Sequence, residues 1–192
     1  MDFRFWITLL GARASIQNPK LRWWMVILGV DPGLRATGYG IMEALGGGRR
    51  VVAAGDIRPP THQPLAERLG MIYEALARLI RAHHPDTVVL EQLFTHHNHV
   101  TTAALMAHAR GVACLAAQEQ GVPVAEYPPT QVKKSLTGNG HASKDQVARM
   151  VAQWLGHRDP AWSIDTTDAL ALALVHAHIA SQQRHLPVGL VG

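Results

Sequence analysis

Two short apolar runs, each followed by an acidic residue, constrain the fold of this chain most strongly. Residues 26–30 lead into Asp31, which stands before a Pro-Gly pair, and residues 87–90 lead into Glu91. Short apolar runs without polar alternation are typical of buried strands, of the kind found in parallel pairing. The turns after such strands open a crevice at the sheet edge, where ligands bind. The sequence therefore predicts a candidate site at the ends of two neighbouring strands.

The remaining patterns complete an α/β domain. The predicted strands are residues 26–31, 38–44, 51–57, 87–91 and 122–127. The predicted helices are residues 65–80, 100–120, 131–136, 143–155 and 164–180. Three glycines between the second and third strands indicate an antiparallel hairpin, and Ser143 with Gln146 has the capping-box spacing of a helix start. We expect one mixed five-stranded sheet with helices on both faces.

Composition narrows the classes of protein to which the chain can belong. Its 192 residues, 47% hydrophobic and 17% charged, suit one folded domain and exclude a disordered chain. The net charge of +4 and the pI of about 9.6 favour a polyanionic partner. Cys114 is the single cysteine, which excludes a disulfide framework and fits a reducing cytoplasm. No stretch reaches the ~20 apolar residues that a membrane span needs.

The two ends of the chain are predicted to lie outside the domain. Residues 1–24 contain aromatic residues without a periodic pattern, and Met25 stands directly before the first strand. We expect this extension to be disordered or to precede the normal translation start. A signal peptide is the alternative, although the apolar stretch is short and its charged region is weak. The domain then spans residues 25–182, with residues 183–192 as a C-terminal tail.

Two more acids, Asp165 and Asp168, stand three residues apart at the start of the last helix, so they share one helix face. If that helix begins beside the two strand ends, four carboxylates converge. Like charges remain ionised together when a cation is present, and oxygen ligands suit Mg²⁺ or Mn²⁺ rather than Zn²⁺. Two such ions, about 3.5–4 Å apart, would activate water and stabilise the leaving 3′-oxygen in phosphodiester cleavage.

Each acid also has an ordinary structural interpretation. Asp31 is a common turn residue before Pro-Gly, Asp165 suits a helix N-cap, and Asp168 suits the positive end of a helix dipole. Glu91 is the exception, because an acid that closes an apolar strand is costly to bury without a partner. The histidines at positions 96, 97 and 99 form a poor zinc site in a chain without a cysteine pair, and they fit a surface loop better.

The motifs that contain these acids resemble those of the RuvC family of Holliday-junction resolvases. The resembling segments, in the family's order, are residues 30–40, 91–94, 126–127, 131–133, 138–146 and 165–171. The resemblance covers residues 25–179. It implies a ribonuclease-H-like fold and a homodimer that nicks two symmetry-related strands of a four-way DNA junction in recombination and repair. The cuts would leave ligatable 5′-phosphate and 3′-hydroxyl ends.

The resemblance also assigns roles to residues. Acids matching Asp31, Glu91, Asp165 and Asp168 hold Mg²⁺, two ions in each catalytic site, for which Mn²⁺ is a substitute. The DNA-contacting candidates are Lys133, Lys144, Phe94, Arg35 and His141. Phe94 would stack on an unpaired base, with core packing as the alternative. The implied partner in the cytoplasm is the RuvA–RuvB branch-migration complex.

Two alternatives of different classes remain open. The first is another ribonuclease-H-like nuclease, such as an RNA-processing enzyme of the YqgF type, which would need the 2′-hydroxyl of its substrate. The second is a protein that binds junctions without cutting them, which the complete set of acids disfavours. Incubation with a synthetic four-way DNA junction and Mg²⁺ separates these possibilities.

Overall fold

The computed structural model describes residues 24–45, 48–92, 100–156 and 161–184. Within these ranges the strands are β1 (Trp24–Asp31), β2 (Thr37–Leu45), β3 (Gly48–Ile57), β4 (Thr87–Glu91) and β5 (Val124–Tyr127). The helices are α1 (Leu65–His83), α2 (Val100–Gln118), α3 (Pro129–Thr137), α4 (Lys144–Trp154) and α5 (Ile164–Arg184). The predicted order of elements is confirmed, while β1 begins at Trp24, two residues earlier than expected. The predictions for the N-terminal extension lie outside the described residues, apart from Trp24.

The strands form one mixed sheet in the order β3-β2-β1-β4-β5. Strand β2 pairs antiparallel with both β3 and β1, while β1, β4 and β5 run parallel. Val30 lies opposite Leu90 in the parallel register. The ends of β1 and β4 therefore meet at the same edge of the sheet, as the two apolar runs predicted.

Alternating side chains divide the core between the two faces of the sheet. Ile27 belongs to a buried cluster with residues of α3, α4 and α5, whereas Leu28 and Val30 belong to a second cluster with α1 and α2. Neighbouring residues of a strand point to opposite faces, so a continuous apolar run serves both clusters. The prediction of helices on both faces is confirmed.

Helix α5 lies unusually close to the sheet because glycines face it. A Cβ atom built on Gly29 would lie 2.0 Å from the carbonyl oxygen of Ala169, and one built on Gly38 would lie 2.0 Å from that of Asp165. A Cβ on Gly40 would meet the side chain of Leu170 at 2.6 Å. The main chain of α5 therefore rests directly on β1 and β2. This contact places the first turn of the helix beside the end of β1.

None of the helices within the described ranges is both long and apolar enough to cross a membrane.

Candidate active site

Two strand ends and the start of α5 bring the four predicted acids to one side of the sheet. Asp31 ends β1, Glu91 ends β4, and Asp165 and Asp168 lie in the first turns of α5. Strand alternation directs Asp31 to the face that α5 covers, because Gly29, two residues earlier, lies against that helix. The three segments that carry these acids are far apart in sequence and close together in the fold.

The electrostatic surroundings of Asp31 show how crowded these charges are. Burial, followed by the charges of Asp168, Glu91 and Asp165, raises the pKa of Asp31 to about 7, against a smaller opposing effect of Lys144. A buried carboxyl group among other carboxylates resists ionisation, because each negative charge adds to the cost of the next. Such a group at the mouth of a parallel strand pair is a candidate functional residue on physical grounds.

Two lysines partly offset the negative charge. Burial and Asp168 raise the pKa of Glu91, whereas Lys133 and Lys144 act to lower it. The pKa of Asp168 is also raised by burial, although Lys144 opposes this effect. The Nζ atom of Lys144 lies 3.4 Å from Oδ2 of Asp168 and donates a hydrogen bond to it. The two lysines predicted to contact DNA thus adjoin the acids.

The donor atoms suit a hard divalent cation. Every acid in the group offers carboxylate oxygens, which Mg²⁺ and Mn²⁺ prefer. Among the residues that the structure describes, no three Asp, Glu, His or Cys side chains are spaced to hold an ion as they stand. The four carboxylates are therefore close enough to influence the ionisation of Asp31, but they are not arranged around one ion. Their excess negative charge is the feature that fits a divalent cation.

The loop and capping interactions of α4 hold Lys144 at the edge of this group. Ser143 and Gln146 form the predicted capping box, in which Ser143 Oγ accepts the main-chain N–H of Gln146 and the Gln146 side chain accepts that of Ser143. Lys144 is the first residue of the helix. His141 is exposed in the preceding loop, where its main-chain N–H donates to Asn139 Oδ1. The loop presents Lys144 and His141 to solvent.

The other predicted DNA-contacting residues lie in different environments. Arg35 is exposed in the turn between β1 and β2, and Lys133 is half-buried on α3. Phe94 and the histidines at residues 96–99 lie outside the described residues. Their predicted roles therefore stay predictions.

Arg110 organises the end of β4 and was not among the predicted site residues. Its guanidinium donates to the main-chain oxygen of Glu91 and forms an ion pair with Glu126 on β5. The side chain of Arg110 is only 13% exposed. The segment from Val100 to Gln118 contains no Asp, Glu or Lys, and Arg110 is its single arginine. A lone charge in an alanine-rich helix was a signal that could have identified it.

The start of α5 corrects one structural interpretation. Asp165 is not the N-cap, because the helix begins at Ile164 and Ser163 Oγ accepts the main-chain N–H of Thr166. The Ser163 and Thr166 hydroxyls also donate to Asp56 on β3, at 2.6 and 2.7 Å. Because Asp165 is free of the capping role, its carboxylate is available to the acidic group. No sequence pattern singled out Asp56.

Comparison with known proteins identifies the family to which the chain belongs. The family model "Crossover junction endodeoxyribonuclease RuvC" matches residues 27–176. The protein of that name from Halorhodospira halophila is 50% identical over 153 residues, which are 79% of this chain and 89% of the relative. The one from Bradyrhizobium diazoefficiens is 47% identical over 152 residues, which are 79% of this chain and 86% of the relative.

Solved structures are similar over the same region. Thermus thermophilus RuvC superposes with a TM-score of 0.75 at 35% identity, covering 83% of this chain and 98% of that one. The same protein in complex with Holliday junction substrate gives a TM-score of 0.76 at 34% identity, covering 83% and 97%. The yeast mitochondrial Holliday junction resolvase, with a TM-score of 0.62 at 10% identity over 83% of this chain and 80% of that one, shares the fold. With 50% identity to one relative over 153 aligned residues and the family model matched from β1 into α5, the chain belongs to the RuvC family of crossover junction endodeoxyribonucleases.

Proposed function

We propose that this protein is a Mg²⁺-dependent endonuclease that resolves Holliday junctions by paired, symmetric nicks. The observation that carries the proposal is the group of four acids around Asp31, whose pKa is raised to about 7 by burial and by the other three carboxylates. Family membership supplies the type of reaction, and RuvC nucleases are metal-dependent. The choice of Mg²⁺, with Mn²⁺ as a substitute, rests on the all-oxygen donor set.

The four acids have the metal-binding role in this proposal. Asp31, Glu91, Asp165 and Asp168 are the residues that would hold the metal. When bound, the divalent ions supply Lewis acidity for the scissile phosphate and for the attacking water. The acids come from three separate elements, so the sheet and α5 must both be intact for the site to form.

Lysine side chains would attract and orient the DNA backbone. Lys144 is exposed and its Nζ atom adjoins Asp168, so it can contact a phosphate that enters the site. Lys133 lies on α3 near Glu91, whose pKa it acts to lower. Arg35 and His141 are exposed at the sheet edge and in the α3–α4 loop, where they extend the surface for a junction arm.

The proposal includes a homodimer, because two symmetric cuts need two sites related by a two-fold axis. Helix α2 offers a suitable surface. Its outward residues are uncharged and include Leu105 and Leu115, which are 43% and 50% exposed. The charge of Arg110 is directed inward to Glu126. We further propose that the dimer acts in the cytoplasm with the RuvA–RuvB branch-migration complex.

Cleavage of a synthetic four-way DNA junction in Mg²⁺ tests the reaction. The wild-type protein should cut the junction and leave a linear duplex of the same sequence intact. Asp31→Asn keeps the size of the side chain but removes a metal-binding charge, so cleavage should fall by at least about 10³-fold while junction binding remains. Glu67→Gln, which removes an exposed acid on α1, is the control and should cut normally.

Two outcomes would contradict this proposal. Undiminished cleavage by Asp31→Asn would remove the acidic group from the mechanism. Cleavage that requires ribonucleotides in the substrate would assign the protein to RNA processing instead.

A further inference from the structure

We propose that Asp56 is a positioning residue that fixes the first turn of α5 and thereby sets where Asp165 and Asp168 lie relative to Asp31 and Glu91. The inference rests on the proposed function, because it assigns a task to Asp56 within the same metal site. Asp56 belongs to β3, an edge strand of the sheet, whereas the acids that it would position belong to α5.

Asp56 makes three hydrogen bonds that use both of its carboxylate oxygens. Ser163 Oγ and Thr166 Oγ1 both donate to Oδ1, at 2.6 and 2.7 Å. Arg58 donates to Oδ2 at 2.7 Å. The Asp56 side chain is 13% exposed. These bonds account for both oxygens, so Asp56 anchors the helix and is not itself a candidate ligand.

The hydrogen bonds hold Asp56 in its charged form. Burial alone would raise the pKa of Asp56, but the hydrogen bonds from Ser163, Thr166 and Arg58 outweigh it and leave the pKa below its ordinary value. A carboxylate beside the first turn of a helix also interacts favourably with the helix dipole. Charge-assisted hydrogen bonds are stronger than neutral ones, so a charged Asp56 is a firm anchor.

The anchor and the glycine contact restrain the same turn of α5 in two ways. Gly38 allows the carbonyl oxygen of Asp165 to rest on β2, which sets how close the helix comes to the sheet. The hydroxyls of Ser163 and Thr166 tie the turn to β3, which restrains its sliding and rotation. Thr166 is only 2% exposed and lies between the two acids of α5 in sequence. A shift of this residue must move its neighbour Asp165.

Titration of the DNA-free protein with Mn²⁺ by isothermal calorimetry tests this role without relying on activity. Asp56→Ala should raise the Mn²⁺ dissociation constant by about 10- to 100-fold, the loss that is typical when a residue that orients metal ligands is removed. Asp56→Asn keeps an Oδ1 acceptor for the two hydroxyls and should retain most of the affinity. Cleavage by Asp56→Ala should recover as Mg²⁺ is increased, whereas junction binding should not change.

The hairpin contains a matched control. Glu43 pairs with Arg50 at 2.7 Å on the same two strands but near the opposite end of the hairpin. Glu43→Gln therefore removes an acid–arginine pair of the hairpin without touching α5, and it should bind Mn²⁺ like the wild-type protein. Thr166→Val removes one hydroxyl with little change of shape. Combined with Asp56→Ala, it should add little further loss, because both changes break the same contact.

The possible results separate this inference from the proposed function. If Asp31→Asn binds Mn²⁺ as well as the wild-type protein, the metal site itself is wrong and the inference fails with it. If Asp31→Asn loses Mn²⁺ while Asp56→Ala and Thr166→Val bind it normally, the metal site stands and the positioning role of Asp56 is wrong. Should Asp56→Ala fail to fold, Thr166→Val decides the question, and normal Mn²⁺ affinity in that variant overturns the inference.

Discussion

At the scale of single residues, the site brings together negative charges that neighbouring cationic side chains only partly offset. Asp31 lies among three other carboxylates, and Lys144 is the cation that reduces their effect on it. In the absence of a metal ion, replacing one of these acids with a neutral residue should increase the stability of the folded protein, since like charges in a partly buried place oppose folding. The acids therefore lower the stability of the metal-free protein, and this cost is measurable.

The metal-free protein should lose stability as the pH rises from about 4 to about 7. The folded-state pKa of Asp31 is about 7, above its ordinary value of 3.8, so over this interval the folded protein keeps a proton that the unfolded chain releases. The loss should amount to about 2 kcal/mol, given about 1.4 kcal/mol for each unit of pKa and some solvent screening.

Asp31→Asn is the matched comparison for this prediction, because it removes the titrating group. Urea unfolding in EDTA should show that the variant gains stability relative to the wild-type protein as the pH rises from 5 to 8. Above the folded-state pKa the difference should level off. A difference that does not change with pH would contradict the raised pKa of Asp31.

At the scale of elements, local patterns could be predicted and long-range anchors could not. The bounds of β4 and the capping box of α4 could be predicted, because each depends on a pattern of residues that are adjacent in the sequence. Asp56 and Thr166 are 110 residues apart, and nothing near either of them reveals the other. The contact of Gly29 with α5 could likewise not be predicted from the sequence, because it depends on how closely the helix approaches the sheet. The candidate site acids were predictable from strand ends and motifs, whereas their supports were not.

The glycine contact makes a prediction at this scale. Gly29→Ala should destabilise the protein by about 3 kcal/mol and strongly reduce cleavage, because the added Cβ would meet main-chain atoms of Ala169 that cannot turn aside. Gly70→Ala is the control, since Gly70 lies within α1 and a Cβ there would meet nothing within 4 Å. It should stabilise the protein by about 0.5–1 kcal/mol through better helix formation.

Thermal or urea unfolding of the two glycine variants checks the contrast. Equal effects of both substitutions would mean that α5 can move away from the sheet without cost.

At the scale of the whole molecule, the two faces of the sheet are covered by unequal helix layers. Helices α3, α4 and α5 pack on the face that holds the acids, whereas α1 and α2 pack on the other. The outward side of α2 has no charged residue among its described side chains, although Leu105 and Leu115 are exposed there. An uncharged helix face with exposed leucines is typical of an interface between protein chains.

The dimer proposal predicts that charge on this face separates the subunits. Leu105→Glu combined with Leu115→Glu should shift the protein toward monomer in sedimentation equilibrium, because two like charges would face their symmetry copies. Each monomer would then nick junction strands independently, so paired cuts should become single ones. Met71→Glu places the same charge on an exposed apolar residue of α1 and is the control.

A wild-type protein that is monomeric at working concentration, yet still makes paired cuts, would contradict the proposed dimer.

The close contact between α5 and the sheet also limits how this protein can vary. Where side chains pack, as at Leu170, another apolar residue of similar volume is an acceptable neighbour, and compensating pairs of changes exist. Where main chain meets main chain, as at Gly29 and Gly38, every other amino acid adds an atom to the same occupied space. No second substitution can remove a backbone carbonyl. A library that samples every amino acid at these two positions should therefore return glycine alone, whereas position 170 should return several apolar residues.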